Sequence, residues 1–329
     1  MRILSWGGAH GGSLALALGM ILLIVPGGHV QSEAAAPHAA QDQGPFRIAV
    51  DVDLVVLPAT VRDRQGASVV DLHAEDFAVH EDGVAQHIKL FLHEDIPVVA
   101  GLLVDHSASI RPKLADVTSG ARAFVRSSNP DDQMFVVNFN ETVSLGLPAG
   151  IGFTTSAEEL ERAIWRTEAG GETALYDAIL VALARLQAGG RDKKVLVVIS
   201  DGGDNASTHK LAEVLQMAER SSAIIYAVGL FEPEDLDANP RVLNRLAQAT
   251  GGEAFFPEQF SEVVTICERI ARDIRSQYTI GYFSSNVKRE GAYRTVRVSA
   301  HVPDHGKLIV RTRQGYIAGA SRHKDEDDK

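Results

Sequence analysis

The chain has 329 residues, 45% of them hydrophobic and 23% charged, an ordinary globular composition that can fill the cores of two domains. A formal net charge of -11 at pH 7 argues against a nucleic-acid or anionic-membrane surface, which would need clustered Lys and Arg. The single cysteine, Cys267, excludes an intramolecular disulfide.

Residues 1–32 read as a signal peptide: Arg2 gives a positive start, residues 13–25 a short apolar run, and Pro26-Gly27-Gly28 breaks it before small residues. Val30-x-Ser32 offers a cleavage point after Ser32. The run is short for a transmembrane helix. The mature protein is therefore expected to be exported, periplasmic or secreted, without stable membrane insertion, an uncleaved N-terminal anchor being the alternative. Residues 33–45, rich in Ala, Gln and Pro, read as a linker.

From Phe46 the pattern changes to short strands. Residues 48–61 alternate, with Val50, Val52, Leu54 and Val56 on one face, and Arg62-Asp63-Arg64-Gln65-Gly66 turns. Residues 69–72 and 77–79 follow, and residues 86–91 return after the turn Glu81-Asp82-Gly83. Residues 46–93 thus predict half of a small β-sandwich, with too few strands to close alone.

Residues 96–277 alternate strand with helix, which predicts an α/β fold with a doubly wound, mostly parallel six-stranded sheet. Strands are expected at 98–104, 134–139, 194–199, 223–230 and near 254–256, with 142–147 as an antiparallel edge. Helices are expected at 114–125, from Ser156 to residue 166 with Glu159 completing a capping box, from Thr173 to residue 186, and at 210–221, 240–250 and 261–276. Cys267 falls on the apolar face of the last helix with Val263, Val264 and Ile270, which predicts packing. Residues 278–318 hold three further alternating runs, 278–283, 293–300 and 307–313. They predict the C-terminal half of the sandwich, with the α/β domain inserted between its halves. The charged residues 319–329 are expected to be a disordered tail.

Two apolar runs end on carboxylates. The first empties into Asp105-x-Ser107-x-Ser109, the second into Asp201-Gly202-x-Asp204-Asn205, and a third loop, Gly170-Gly171-Glu172-Thr173, stands at a helix start. Strands this apolar are buried on both faces, and the carboxyl edge of such a sheet is where open α/β folds place ligands. Three hydroxyls and two carboxylates are hard oxygen donors, suited to Mg²⁺, Mn²⁺ or Ca²⁺ rather than zinc or copper.

These three motifs resemble the loops of a von Willebrand factor A domain, where they form the metal-ion-dependent adhesion site. The resemblance implies that Ser107, Ser109 and Thr173 touch a divalent cation, most simply Mg²⁺, and that Asp105 and Asp201 bind it or hold its waters. It also implies that an Asp or Glu carboxylate of a partner protein completes the coordination. Tyr278-x-x-Gly281-Tyr282 and Arg313-Gln314-Gly315-Tyr316 resemble the closing segments of bacterial exported relatives, whose flanking strands imply an immunoglobulin-like domain. Asp204 and Asn205 are expected to shape the turn rather than bind the ion, and His106 to line the rim.

Three readings follow. The first is an exported, cation-dependent protein-binding module without catalysis. The alternative is a Mg-dependent hydrolase acting on a phosphate or ester, although the sequence holds neither a Gly-x-Ser-x-Gly elbow nor a second acidic cluster for a two-metal site. A nucleotide binder is weakest, because neither Gly-x-Gly-x-x-Gly nor a P-loop follows either key strand. Oligomeric state and the partner's identity are not encoded in any of these motifs.

Overall fold

A computed structural model describes residues 54–319 except 233–234, 287–290 and 304–305. The expected signal peptide, the linker, the start of the first strand and most of the charged tail lie outside the described residues.

Before the α/β domain come β1 (Leu54–Arg62), β2 (Phe77–Glu81), β3 (Val84–Gln86) and β4 (Ile88–His93); after it come β11 (Tyr278–Phe283), β12 (Tyr293–Ala300), β13 (Ile309–Arg311) and β14 (Gly315–Ile317). They form two antiparallel sheets, ordered β13-β1-β11-β4 and β14-β12-β2-β3. Each sheet thus mixes strands from both ends of the chain. Between the sheets lies one core of Val55, Leu57, Val79, Tyr278, Ile280, Tyr282 and their neighbours. Glu81, from β2, is buried in it and accepts hydrogen bonds from Tyr282 (2.7 Å), Tyr316 (2.8 Å), Ser284 (2.5 Å) and Arg294 (3.0 Å), which tie three other stretches of chain to one carboxylate.

Two expectations change here. Leu54 and Val56, the apolar face of the first strand, point outward, 41% and 42% exposed, while Val55, Leu57, Ala59 and Val61 fill the core. Residues 69–72 are not a strand. Val69 N–H donates to Val61 O (2.9 Å), and one hydroxyl bridges the rest: Leu72 N–H donates to Tyr278 Oη and Tyr278 Oη–H donates to Val69 O, both at 3.0 Å. At three residues, β14 is too short to show alternation in the sequence.

The inserted domain contains β5 (Val99–Asp105), β6 (Gln133–Phe139), β7 (Val143–Leu145), β8 (Lys194–Ser200), β9 (Ala223–Gly229) and β10 (Ala254–Phe255), in the order β10-β9-β8-β5-β6-β7. All are parallel except β7, which runs antiparallel on β6 as expected for an edge. Strand order reverses between β5 and β8, so the two are neighbours with a crevice beyond their carboxyl ends. Both strands are buried along their entire length.

The helices are α1 (Leu114–Ser127), α2 (Ala157–Ile164), α3 (Leu175–Gln187), α4 (Leu211–Arg220), α5 (Pro240–Thr250) and α6 (Val263–Arg275). Helix α1 packs on α6 and α2, while α3 packs on α4 and α4 on α5. Gly120 lets α1 press on α6: a Cβ there would stand 2.5 Å from Val263 Cγ1 and 3.1 Å from the buried Cys267 Sγ. At the start of α2, Ser156 accepts from Glu159 N–H as expected, but the return half of the box runs through Thr154. Ser156 N–H donates to Thr154 Oγ1 (3.0 Å), whose own hydroxyl donates to Glu159 (2.5 Å).

Charged side chains join the two parts of the structure. Arg62 of β1 pairs with Asp273 of α6 and with Glu253 (3.1 Å), which also meets Arg311 of β13 (2.9 Å). Arg313 donates to the carbonyls of Glu219 and Ser221 at the end of α4.

Candidate metal centre

Three loops meet at the crevice between β5 and β8. The first follows β5. His106 N–H donates to Phe139 O (2.7 Å), extending the β5–β6 ladder by one residue, and the chain then turns through Ser107 and Ser109. Asp105, at the strand end, lies beneath the surface: Oδ1 accepts from Ser107 N–H (2.8 Å) and Oδ2 from Ser200 Oγ (2.6 Å). Burial pushes its carboxyl up to about 6, the Asp201 charge adds to this, and the bonds from Ser107 and Ser200 pull the other way.

The loop after β8 carries Asp201. Its Oδ2 accepts from Ser109 Oγ (2.6 Å), and its Oδ1 from Gly203 N–H (2.9 Å). Ser109 Oγ is also 3.1 Å from Ser107 Oγ, so both serines and the Asp201 carboxylate form one chain of oxygens. Gly202 has φ +82°, and a Cβ there would stand 2.5 Å from Asn239 O.

The third loop precedes α3. Gly171, at φ +77°, passes so close to Glu141 that a Cβ would meet its carboxylate at 1.7 Å, and Glu141 meanwhile accepts from Glu172 N–H (2.9 Å). The loop is stitched to the first one by Gly170 N–H to His106 O (2.7 Å) and Ala108 N–H to Gly171 O (3.2 Å).

Thr173 follows, and its backbone is fixed on both sides: N–H donates to Asn205 Oδ1 (2.8 Å), and O accepts from Asn205 and Ala206 N–H (3.0 Å each). A threonine at a helix start ordinarily caps it. Here other side chains cap α3, because Tyr176 N–H goes to Asp204 (3.0 Å) and Asp177 N–H to Ser207 Oγ (3.1 Å). The Thr173 hydroxyl is thereby released from that duty.

Ser107, Ser109, Thr173 and Asp201 line one cavity of about 350 Å³, together with Gly171, Glu172, Asn205 and a wall from Asp235 to Ala238. All five sequence-predicted residues are brought together, four on the cavity and Asp105 directly under it. Asp204 and Asn205 serve the backbone, as expected of turn residues. The expectation for His106 is overturned. Its side chain follows the strand alternation that the extra ladder bond preserves, and it is fully buried beside β6 rather than on the rim. Asn138 Nδ2 donates to Ala163 O (2.7 Å), which leaves Asn138 Oδ1 to accept from His106 Nε2 (3.2 Å). Burial lowers the His106 pKa, and Nδ1 has no hydrogen-bond partner among the described residues.

Ser200, Lys113 and the 235–238 wall were missed by sequence reasoning. Ser200 is the last residue of a buried strand and could have been found as its one polar position besides Lys194 at the opposite end. Nothing local marks Lys113, which reaches across the fold to Asp235 (2.7 Å).

The donor set fits a hard cation. Among the described residues no group of three or more His, Cys, Asp or Glu side chains is placed to hold a metal. The predicted set offers three neutral hydroxyls, from Ser107, Ser109 and Thr173, with the Asp201 carboxylate beside them and that of Asp105 beneath.

A family model described as von Willebrand factor type A domain matches residues 101–269. A search of curated proteins gave no match. Similar solved structures include a von Willebrand factor type A protein from Catenulispora acidiphila, at 15% identity and TM-score 0.50, covering 74% of each chain. BatB, a conserved hypothetical protein from Bacteroides thetaiotaomicron, is 16% identical over 54% of this chain and 100% of its own, at TM-score 0.43. Proximal thread matrix protein 1 of the mussel byssus, in a form with a zinc-occupied MIDAS motif, is 18% identical over 55% of this chain and 48% of its own, at TM-score 0.44. At these identities the likeness is one of fold.

Proposed function

Because the chain belongs to the von Willebrand factor type A domain family through residues 101–269, we propose that it is a divalent-cation-dependent protein-binding module and not an enzyme. The observation that carries this reading is the meeting of three hydroxyls and two carboxylates from three loops at the strand-order reversal of the sheet. Ser107, Ser109 and Thr173 would hold the ion, with Asp201 beside it and Asp105 beneath, and Mg²⁺ suits the oxygen set, with Mn²⁺ or Ca²⁺ as alternatives. When bound, the cation supplies an electron-poor position that an Asp or Glu carboxylate of a partner can fill.

The chain's own residues do the rest. Asp105 sets the Ser107 backbone through the 2.8 Å bond and so aims that loop. Asn205 sets Thr173, and Gly202 and Gly171 allow the turns that bring the loops within reach. Two buried acids facing one crevice repel each other, and a cation between them offsets that cost. The one histidine of these loops offers no base for catalysis: His106 faces Asn138 beneath the loop and does not line the cavity.

The N-terminal pattern of Arg2 and the apolar run at 13–25 supports export to the periplasm or the medium. Among the described residues no helix is long and apolar enough to cross a membrane. Residues 46–93 and 278–318 are proposed as one sandwich domain of immunoglobulin-like type flanking the binding domain at 96–277.

The test is calorimetric titration of Mn²⁺ and Mg²⁺ into the chain from residue 33, paired with retention of envelope and secreted proteins in Mg²⁺ and in EDTA. One bound ion and a protein retained only in Mg²⁺ are expected, both lost in Thr173→Ala. Ion binding that survives Thr173→Ala would refute the assignment of the site.

A further inference from the structure

The cavity has a wall that the cation does not need. Leu236 projects from it 97% exposed, whereas the next most exposed large apolar side chain among the described residues, Val84, reaches 56%. A leucine in a loose loop would fold back onto the surface to leave water. This one is held out. Asp235 to Ala238 form a turn closed by Ala238 N–H to Asp235 O (3.3 Å), and Asn239 N–H donates to Asp201 O (3.0 Å), fastening the turn to the loop after β8. From below, the buried Lys113 grips it: Nζ donates to Asp235 (2.7 Å) and to Leu230 O (3.2 Å), and sits 5.4 Å from the Phe260 ring centre. Glu232 N–H holds the same Asp235 carboxylate at 2.7 Å.

The charge on the mouth is equally uneven. Lys113 neutralises Asp235, but Glu172 and Asp237, which also line the cavity, have no ion-pair partner among the described residues.

We propose that the mouth is a composite docking surface for one protein segment. It takes an Asp or Glu on the cation, an apolar side chain against Leu236, and a Lys or Arg facing Glu172 and Asp237. Lys113 is its positioning residue, since it fixes the turn that presents Leu236. The proposal rests on the cation-dependent reading above and adds the partner's chemistry to it. The two outer acids repel a bare carboxylate, so an acidic residue alone is a poor ligand. The apolar contact supplies affinity, and the flanking cation relieves the repulsion.

A phage-displayed library of random 12-residue peptides, panned on the full chain in Mg²⁺ and eluted with EDTA, tests this. Eluted peptides should carry an acid beside an apolar residue and a Lys or Arg. Synthesised, they should bind Leu236→Ser about tenfold more weakly, the scale expected for losing one buried leucine contact. Leu236 touches no core, so that variant folds. Lys113→Met should weaken the same peptides, and Lys113→Arg should restore part of the loss.

Mn²⁺ affinity, measured by calorimetry, should be unchanged in Leu236→Ser. EDTA-eluted peptides that bind Leu236→Ser as tightly as the native chain, that lack the apolar and basic neighbours, or that fail to appear although Mn²⁺ binds, would overturn the docking proposal alone. Absence of Mn²⁺ binding would bring down the cation reading first, and this one with it.

Discussion

Asp105→Asn separates what the buried carboxylate costs from what it does. Burial raises its pKa from 3.8 to about 6, and it is 0% exposed. At pH 8 in EDTA the folded and unfolded chains both carry it ionised, and the folded one bears the difference, at most about 3 kcal/mol for a shift of roughly two units. Below about pH 4 both forms are protonated and the penalty is gone. This group therefore makes the metal-free native chain more stable as pH falls from about 6 to about 4.

Asparagine keeps an acceptor for Ser107 N–H and offers Ser200 Oγ a donor in place of an acceptor, so it loses roughly 1 kcal/mol of hydrogen bonding. Net, Asp105→Asn should stabilise the metal-free protein at pH 8 by about 1–2 kcal/mol, remove this pH dependence and abolish stabilisation by Mg²⁺. Urea unfolding at pH 8 and pH 5, with EDTA or saturating Mg²⁺, reads all three. A variant less stable than the native chain at pH 8 in EDTA by more than about 1 kcal/mol would refute the reasoning, since the buried charge would then be compensated within the protein.

Other perturbations probe the frame around the site. Glu81→Gln turns one acceptor of the buried sandwich carboxylate into a donor facing hydroxyls; a loss of about 2–4 kcal/mol is expected in urea unfolding, and an effect under about 0.5 kcal/mol would show that this carboxylate does not tie the two ends of the chain together. Gly171→Ala meets both the Glu141 carboxylate and a φ of +77°, which costs about 1–2 kcal/mol on its own. Adding Glu141→Ala should recover only the steric part, and full recovery of stability would rule out backbone strain. For Asp177, burial raises the carboxyl but bonds from Thr208 and His209 outweigh it and bring it to about 2, so its stabilisation is present above about pH 4 and lost as pH falls toward 2. Asp177→Asn should cost about 1 kcal/mol at pH 7, discounted for its partial exposure, and nothing below pH 2, as an acid titration of helicity would show.

The α/β domain could be read from the chain because its strands are buried on both faces. Residues 99–105 and 194–200 leave no alternative to a covered parallel sheet, and the polar residues that end them mark the carboxyl edge. That the five candidate residues would come together was legible for the same reason, since each stands at or just after a strand end or at a helix start. The sandwich was legible as pairing, but not as facing: in the first strand both alternating sets are apolar, so Leu54 and Val56 could not be told from Val55 and Leu57 by pattern. His106 was misplaced because a ladder bond beyond the apolar run carries the strand one residue further. Lys113 and the 235–238 wall depend on contacts between residues more than a hundred positions apart, for which a local pattern has no signal.

The pairing of Tyr278 with His93 has a consequence for how the molecule comes together. Closing a flexible loop of roughly 180 residues to register two edges would cost about 5 kcal/mol of chain entropy. The six-stranded domain lies wholly inside that loop, and its contacts are nearer in sequence. Once it has folded, its two ends emerge as neighbours, and the sandwich needs only to zip. The inserted domain is in this sense the splint on which the outer one sets, so damage to its core should appear first as failure of the sandwich to assemble.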